Sequence, residues 1–588
     1  MAVLQGAART ALFTVFMASL FLTFASGDRR TARVWWDSTN GRFAFDNGTE
    51  MSTSILATGV FTDDIETTGW AHLDIRTNSL KGFYFDQHQA YAAGLLEARL
   101  THELIGKQYR NIYTDYCKGH EAYCAELRAF LEKNLEYMLR MVEKYSFVDP
   151  YWHHVALSLI QLAGIEAGMR MQDHYVYVGD NLTPNVSSVM FLSLHGDLGD
   201  LENKLRKEKL HAPGALSSCS GLIKLLEGNS DIVAGHATWT GYNTMLRIQK
   251  KFVFEFHETF DSDVLVPGNG VSFSSYPGRI ISGDDFYITS SRLVVSETTI
   301  ENNNPDLYEF TNPHTVPSWI RNTVANRLAS SGREWAQYYA YNNSGTYNNQ
   351  WMIIDYKLFQ KGKPIEDGTF HVLEQMPGHV VHQDMSSFLQ KFGFWPSYNV
   401  AYFPKIFNVS GQWSLVEKYG DWYSYDKTPR ALIFERDASK VTDLESLRKL
   451  LRYNDFKNDP LSRCKCSPPY SAENAISSRC DLNPANGTYP FAALGHRAHG
   501  GTDVKVTNAN MVKTFDMLIQ SGPTNDQQPT FIWSESDFDS TLRHEGHPDV
   551  FDFGPIMTNW SSKLDDDFDA VHSQSDLSER SKLTDKWF

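Results

Sequence analysis

Three consecutive stretches decide the fold. They are Ser217-Ser218-Cys219-Ser220-Gly221-Leu222-Ile223-Lys224-Leu225-Leu226, then Glu227-Gly228-Asn229-Ser230-Asp231, then Ile232-Val233-Ala234-Gly235-His236-Ala237-Thr238-Trp239. Two apolar runs around a Gly/Asn turn predict a β-hairpin. The preceding His211-Ala212-Pro213-Gly214-Ala215-Leu216-Ser217 is small and breaker-rich and predicts an exposed linker. Cys219 therefore stands at the start of a strand that follows a linker. The return strand is expected to bring His236 near the level of Cys219. Gly221 and Gly235 remove side chains that would crowd this end of the hairpin.

That placement permits a specific chemistry. A thiol at the first position of a strand can attack the carbonyl of the preceding residue, here Ser218. An N→S acyl shift followed by hydrolysis cuts the chain between Ser218 and Cys219. The new N-terminus then carries a thiol and an α-amine on one residue. An α-amine has a pKa of roughly 7.7–8.0, so it can act as general base for its own nucleophile. The bland alternative is an unpaired buried cysteine at a strand start.

Working outward, residues 31–83 read as strands and turns, as in Ser54-Ile55-Leu56-Ala57-Thr58-Gly59-Val60-Phe61. From about Asp86 to Gln172 apolar residues recur at helical spacing, with breaks at the cysteine loop and near Asp149-Pro150. Strands dominate from Cys219 to about residue 300. Helical patterns return at 313–343 and 440–453, with a strand pattern between them at Trp351–Leu358. The expected organisation is a leader at 1–27, an N-terminal fragment at 28–218 and a C-terminal catalytic fragment at 219–588.

The chain has 588 residues, 42% hydrophobic and 13% aromatic, which excludes a disordered protein. Its formal net charge is −16, which disfavours nucleic acid as a partner. A mean hydropathy of −0.39 excludes a multispanning membrane protein. Arg9, the apolar run Ala11–Phe24 and the exit Ala25-Ser26-Gly27 read as a secretory signal peptide. The run is too short and too rich in Thr and Ser for a transmembrane segment. Sequons at Asn47, Asn181, Asn185, Asn342, Asn408, Asn486 and Asn559 fit a glycosylated protein. The C-terminal Asp585-Lys586-Trp587-Phe588 is not an ER-retention signal. The expected destination is the lysosome lumen or secretion. The 20 histidines are compatible with an acidic compartment, where their charge would offset the acidic excess.

Six cysteines in an oxidising compartment predict local disulfides. Cys117 with Cys124 closes a small loop. Cys480 can pair with Cys464 or with Cys466, and Cys466–Cys480 is the pair adopted here. Zinc at Cys464-x-Cys466…Cys480 is disfavoured by spacing, and His496, His499 and Asp503 make only a weak metal signal. No metal and no cofactor are expected. No G-x-S-x-G occurs, which disfavours serine lipase chemistry.

Several longer stretches carry a resemblance. Cys219-Ser-Gly…Gly235-His236-Ala-Thr-Trp239-Thr-Gly-Tyr242 resembles the phospholipase B-like (lamina-ancestor) family of lysosomal proteins. So do Tyr347-Asn348-Asn349-Gln350-Trp351-Met352, Trp395-Pro396-Ser397-Tyr398-Asn399, Pro468-Pro469-Tyr470-Ser471-Ala472-Glu473-Asn474-Ala475-Ile476 and Gly495-His496-Arg497-x-His499-Gly500. The likeness runs through the whole mature chain. The family is in turn similar, more distantly, to the choloylglycine and penicillin V acylases. Those carry an Arg where this chain has His236 and an Asp where it has Thr238. The resemblance implies an α+β fold, a four-layer αββα N-terminal nucleophile hydrolase sandwich with a helical insertion.

It also implies roles. Cys219 is the expected nucleophile, with autocleavage between Ser218 and Cys219. His236 is expected to orient the thiol or polarise the carbonyl. Asn349 is the candidate oxyanion donor, with Asn348 in competition, because an amide donates without carrying charge. Arg430, in Lys427-Thr428-Pro429-Arg430-Ala431, resembles an arginine that follows a turn in the acylases. Thr238 and Trp239 are candidates to line the substrate site. Ser282-Gly283-Asp284-Asp285 reads first as a hairpin turn, with a supporting role for Asp284. The family name implies deacylation of phospholipids or lysophospholipids. The likeness to acylases implies an N-acyl amide substrate instead, and a catalytically weak lipid-binding protein is the third alternative. The two fragments are expected to stay associated, and oligomerisation is left open.

Overall fold

The two halves of the chain meet at one parallel strand pair. Trp70–Thr77 lies beside Ile248–Val253, with Ala71 opposite Ile248 and Arg76 opposite Val253. The computed structural model describes residues 27–45, 55–78, 85–177, 186–206 and 218–560. Within them the chain forms a mixed α+β fold with a twelve-stranded and a six-stranded sheet. The larger sheet runs from His379–Asp384 through Phe370–Met376, Asn349–Asp355, Leu293–Thr299, Phe286–Thr289 and Gly270–Ser275 to Ile248–Val253. It then continues, across the parallel pair, through Trp70–Thr77, Ile55–Asp64, Asp28–Asp37 and Arg42–Phe45 to His174–Val176. Strands from both sides of Cys219 thus share one hydrogen-bonded sheet.

The helical stretch forms Phe85–Tyr113, Glu121–Tyr145 and Pro150–Gly168. The last begins at Asp149, whose carboxylate accepts from Tyr151 N at 2.9 Å, with Pro150 pre-set for the first turn. It crosses Phe85–Tyr113 backbone against backbone. A Cβ on Gly94 would lie 2.1 Å from Gln161 O, so only glycine permits the approach. Leu95, Leu96, Trp152, Val155, Leu56 and Leu73 belong to the core shared by these helices and the large sheet.

The smaller sheet orders its strands Phe394–Ser397, Ser218–Leu225, Ile232–Gly241, His499–Asn508, Leu518–Ser521 and Ile556–Met557. Its two faces are identified by their glycines. A Cβ on Gly221 would meet Met352 Cε at 2.9 Å and Thr298 Cγ2 at 3.7 Å, so that face looks onto the large sheet. A Cβ on Gly235 would meet Leu451 Cδ1 at 2.5 Å, so the opposite face looks onto the helix Leu444–Leu451. A second apolar core joins Ile223, Val294, Met352 and Ile354 and reaches Leu447 and Leu451.

The cysteines correct one expectation. Cys117–Cys124 is formed, but Cys466 pairs with Cys464 rather than with Cys480. Cys480 is a free buried thiol whose Sγ contacts Glu473 Oε2 at 2.8 Å and Ser478 Oγ at 3.2 Å. That polar niche holds the Cys480 side chain and leaves the C-x-C pair to close on itself.

Among the sequons, Asn408, Asn486 and Asn559 are exposed, whereas the amide nitrogen of Asn342 is buried. Asn47, Asn181, Asn185, the leader at 1–26 and the linker at 207–217 lie outside the described residues. Among the described residues no helix is long and apolar enough to cross a membrane.

Candidate active site

Cys219 is the second residue of the strand Ser218–Leu225 and is buried. Its register partner across the hairpin is Thr238, and His236 stands opposite Gly221. His236 is therefore two residues further along than the level expected from the sequence. Alternation restores the contact, because Cys219, Gly221, His236 and Thr238 all project from one face. The Cys219 thiol, a His236 ring nitrogen and a Glu297 carboxylate oxygen lie within 4.8 Å of one another, all buried.

Each of these three groups is pushed toward its uncharged form. Burial, then the nearby Glu297, raises the Cys219 thiol well above its ordinary pKa, while the Trp239 main chain favours the thiolate. Burial, then the Lys505 charge, pushes His236 well below the ordinary imidazole value. The Glu297 main chain faces the ring, but neither ring nitrogen meets hydrogen-bond geometry. Burial, then the charge of Asp285, raises Glu297 well above the usual carboxylate range. Asp285 is itself raised to about 6, by burial first and then by Asp284.

Beside this trio lies a compensated charge network that the sequence did not reveal. Asp284 is buried at a turn, and burial works against its charge. Arg247 and Lys505 outweigh that and hold its carboxyl far below the usual range. Lys505 Nζ lies 3.0 Å from Asp284 Oδ2 and 2.8 Å from Asp503 Oδ1, and Arg247 Nη1 lies 2.7 Å from Asp503 Oδ2. Arg247 Nη2 also pairs with Asp284. Thr238 Oγ1 donates to Asp284 Oδ2 at 2.9 Å and accepts from Lys505 Nζ, so Thr238 links the network to the residue opposite Cys219.

Arg430 reaches the strand that carries Cys219. Its Nη1 donates to Cys219 O at 2.6 Å and to Asn399 Oδ1 at 2.8 Å, and its guanidinium lies 4.4 Å from the centre of the Trp239 ring. Burial lowers its pKa to about 10, which leaves it charged at neutral and acidic pH. Asn349, by contrast, is committed elsewhere. Its amide nitrogen donates to Glu297 Oε2 at 3.0 Å and to Asn348 O at 2.9 Å. Asn348 Nδ2 donates to Asp200 Oδ2 at 3.1 Å. Neither amide is free for an oxyanion.

The asparagine that touches Cys219 is Asn399, which is not among the sequence candidates. Its Oδ1 accepts from Cys219 N at 3.1 Å and its Nδ2 donates to Thr299 O at 2.8 Å. Asn399 has φ 68°, a left-handed conformation that Asn tolerates better than other non-glycine residues. Its signal was its place at the end of Trp395-Pro396-Ser397-Tyr398-Asn399.

Cys219 opens onto a cavity of about 570 Å³, which Thr238 and Trp239 also line. Residues from before the Ser218–Cys219 bond supply much of the wall, including Tyr113, Tyr116, Asp200 and Glu202. Thr299, Tyr308 and His499 come from after it. His236, Asn349 and Arg430 are not among the lining residues. Two buried trios, Cys219/His236/Glu297 and Glu473/Cys480/His499, each place three potential metal-ligand atoms within 4.8 Å. In the second, Arg497 Nη2 lies 3.3 Å from Glu473 Oε2, a positive charge where a cation would have to sit.

A buried thiol at a strand start, next to an imidazole and an arginine and facing a cavity, defines a protein built around one cysteine. Comparison with known proteins supplies the family. The phospholipase B family model matches residues 57–558, and the chain belongs to that family. It is similar to the proteins named "Putative phospholipase B-like 2" of Mus musculus and Homo sapiens. The first is 47% identical over 90% of this chain and 89% of the relative, the second 48% identical over 85% of each. Phospholipase B-like protein B of Dictyostelium discoideum is 37% identical over 86% of this chain and 85% of its own length.

Proposed function

We propose that the protein is a self-processing lysosomal or secreted hydrolase whose mature nucleophile is the N-terminal Cys219. The observation that carries this reading is the position of Cys219. Its thiol stands at the second position of a strand, one residue after Ser218, borders the His236 imidazole and opens onto a cavity.

In processing, Cys219 Sγ attacks the Ser218 carbonyl carbon and the thiol proton passes to His236. The C–N bond breaks as the nitrogen takes up a proton and becomes the Cys219 α-amine. Water then hydrolyses the thioester, releasing the Ser218 carboxylate and the thiol. In turnover the α-amine accepts the thiol proton. The acyl group moves from substrate to Cys219 and then to water.

The assignment of the fold to the αββα N-terminal nucleophile class is supported by two sheets facing each other across Gly221, with helices against the large sheet and against Gly235. Association of the fragments after cleavage is supported by the parallel pair Trp70–Thr77/Ile248–Val253 and by the shared cavity wall. The family name supports a lipid acyl substrate. A cavity of about 570 Å³ matches a single small ligand, which suits the reacting end of a lysophospholipid or an N-acyl amide.

Intact mass and N-terminal sequencing at neutral and acidic pH, beside Cys219→Ala, test the proposal. A chain beginning at Cys219 in wild type and missing from the variant is the expected result. An uncut wild type, or cutting shared by both proteins, would overturn it.

A further inference from the structure

Cys219, His236 and Glu297 come from three strands, Ser218–Leu225, Ile232–Gly241 and Leu293–Thr299. The first two belong to the smaller sheet and the third to the larger. The facing sheets thus gather one sulfur, one imidazole nitrogen and one carboxylate oxygen within 4.8 Å of one another. Cys219 and Glu297 also line the cavity, so the trio can be reached from it.

A second, independent observation points to a ligand. His236 is fully buried, and among the described residues neither ring nitrogen has a hydrogen-bond partner. A buried polar group left unsatisfied costs about 1–3 kcal/mol. Burial and Lys505 push the ring toward its neutral form, which is the form that binds metal.

The carboxylate is oriented from behind. Glu297 Oε1 accepts from Tyr347 Oη at 3.1 Å, and Oε2 accepts from Asn349 Nδ2 at 3.0 Å. A carboxylate has about four lone-pair sites, so these donors leave room for a further contact. Outer partners of this kind fix the carboxylates that hold metals. The nearby cations are engaged elsewhere. Lys505 and Arg247 each pair with both Asp284 and Asp503. Those four charges cancel, whereas the second trio has Arg497 against Glu473.

From this geometry we propose that Cys219, His236 and Glu297 form a zinc site that silences the Cys219 nucleophile. Sulfur, imidazole nitrogen and carboxylate oxygen are the ligand types that zinc takes, and three of them leave a fourth position to water from the cavity. A thiolate, a carboxylate and a neutral imidazole together balance the charge of the ion. On binding, the thiol and carboxyl protons pass to solvent. The sulfur lone pair that would attack a carbonyl then forms the Zn–S bond. The site rests on the three side chains, and its silencing role rests on the hydrolase reading above.

The test uses full-length protein stripped with a chelator. It is titrated with cobalt(II) as a coloured stand-in, then with zinc against a chromophoric chelator. Wild type should bind one ion and show a thiolate-to-cobalt charge-transfer band that zinc abolishes. The band should be missing from Cys219→Ala. Zinc affinity should fall by at least about tenfold in His236→Gln and in Glu297→Gln. No such band in wild type overturns the proposal, whatever the variants do. Equal affinity in wild type and all three variants means an adventitious ion only and also overturns it.

Self-cleavage of freshly purified precursor, followed with and without zinc, keeps the two readings distinguishable. Cleavage that stops with zinc and resumes on chelation supports both. Zinc held at the three residues of a protein that never cleaves would remove the self-processing reading and keep the site. Cleavage that runs unchanged with the site loaded would overturn the silencing role.

Discussion

The main-chain N–H of Cys219 donates to Asn399 Oδ1 at 3.1 Å, and that oxygen also accepts from Arg430 Nη1 at 2.8 Å. The nitrogen that the proposed cleavage would turn into an α-amine is thus held a few ångströms from a buried guanidinium. A second positive charge there is disfavoured, because like charges in a poorly solvated site raise each other's cost. If the chain is cut at Ser218–Cys219 as proposed, Arg430 should keep the resulting amine neutral, and competent as a base, at lower pH than a free amine of pKa roughly 7.7–8.0.

The consequence for pH is directional. In the proposed mechanism the base is the neutral amine, so activity should be lost as pH falls through the amine pKa. The acidic limb of kcat/KM in wild type should lie below about 8. Replacing Arg430 by Gln removes the charge, raises the amine pKa and moves that limb to higher pH, with kcat falling by roughly a hundredfold as one polar anchor is lost. Arg430→Lys should keep most of the limb position, because charge rather than fork geometry sets it. A limb unchanged in Arg430→Gln would show that the arginine does not tune the base.

The charge network around Asp284 makes a stability prediction. Arg247, Lys505, Asp284 and Asp503 are all buried and pair off as two cations with two anions. Asp284→Asn leaves a net buried positive charge and weakens the Thr238 contact. Removal of one partner of a buried ion pair costs about 3–5 kcal/mol. Chemical denaturation should show a loss of that order, whereas a loss under about 1 kcal/mol would mean that the network relaxes or hydrates freely.

How much of this was legible in the sequence depends on how local each signal is. The hairpin, the thiol at its start and Arg430 after Thr428-Pro429 are local signals, and the structure brings them together. Lys505, Asp503 and Arg247 were invisible because they reach Asp284 only through strands far apart in the chain. No periodicity marks a lysine on a strand as buried. Asn349, with Asn348 in competition, is the sequence candidate because a turn-to-strand asparagine looks available until its amide is found on Glu297, whereas nothing local marks Asn399 as the neighbour of Cys219. His236 was placed two residues off because register depends on where the turn closes. The Glu227–Asn229 segment forms a tight turn that offsets the pairing.

The cysteine chemistry is directly measurable. Peptide mapping without reduction should give Cys117–Cys124 and Cys464–Cys466 as linked pairs. Cys480 should react with alkylating reagents only after unfolding, since it is buried away from the cavity and its thiol is raised first by burial, whereas Cys219 borders the cavity and is open to a small reagent that enters it. A recovered Cys466–Cys480 peptide, or rapid labelling of Cys480 in native protein, would contradict this arrangement.

Glu374 gives the most separable dependence of stability on pH. It is buried on the strand Phe370–Met376, away from the cavity, where its carboxylate accepts from Gln350 Nε2 at 2.6 Å, Tyr402 N at 2.6 Å and Phe403 N at 3.0 Å. Burial outweighs these donors and raises its pKa to about 7. The unfolded chain should titrate it near 4.3. A raised folded-state pKa means that its contribution is complete below about 4.3 and is lost as pH rises through about 7. The loss is on the order of 3 kcal/mol. Buried His236, His154 and His499 push the opposite way, because their lowered pKa values favour the fold above the ordinary imidazole value and weaken it as pH falls. The total slope is therefore a compromise, and the informative quantity is a difference. Glu374→Gln keeps the shape and removes the titration, so unfolding free energies measured from pH about 4.5 to about 7.5 should fall less steeply in the variant than in wild type. Parallel curves for the two proteins would mean that Glu374 is already ionised in the fold and that water or a shifted backbone donor stabilises it there.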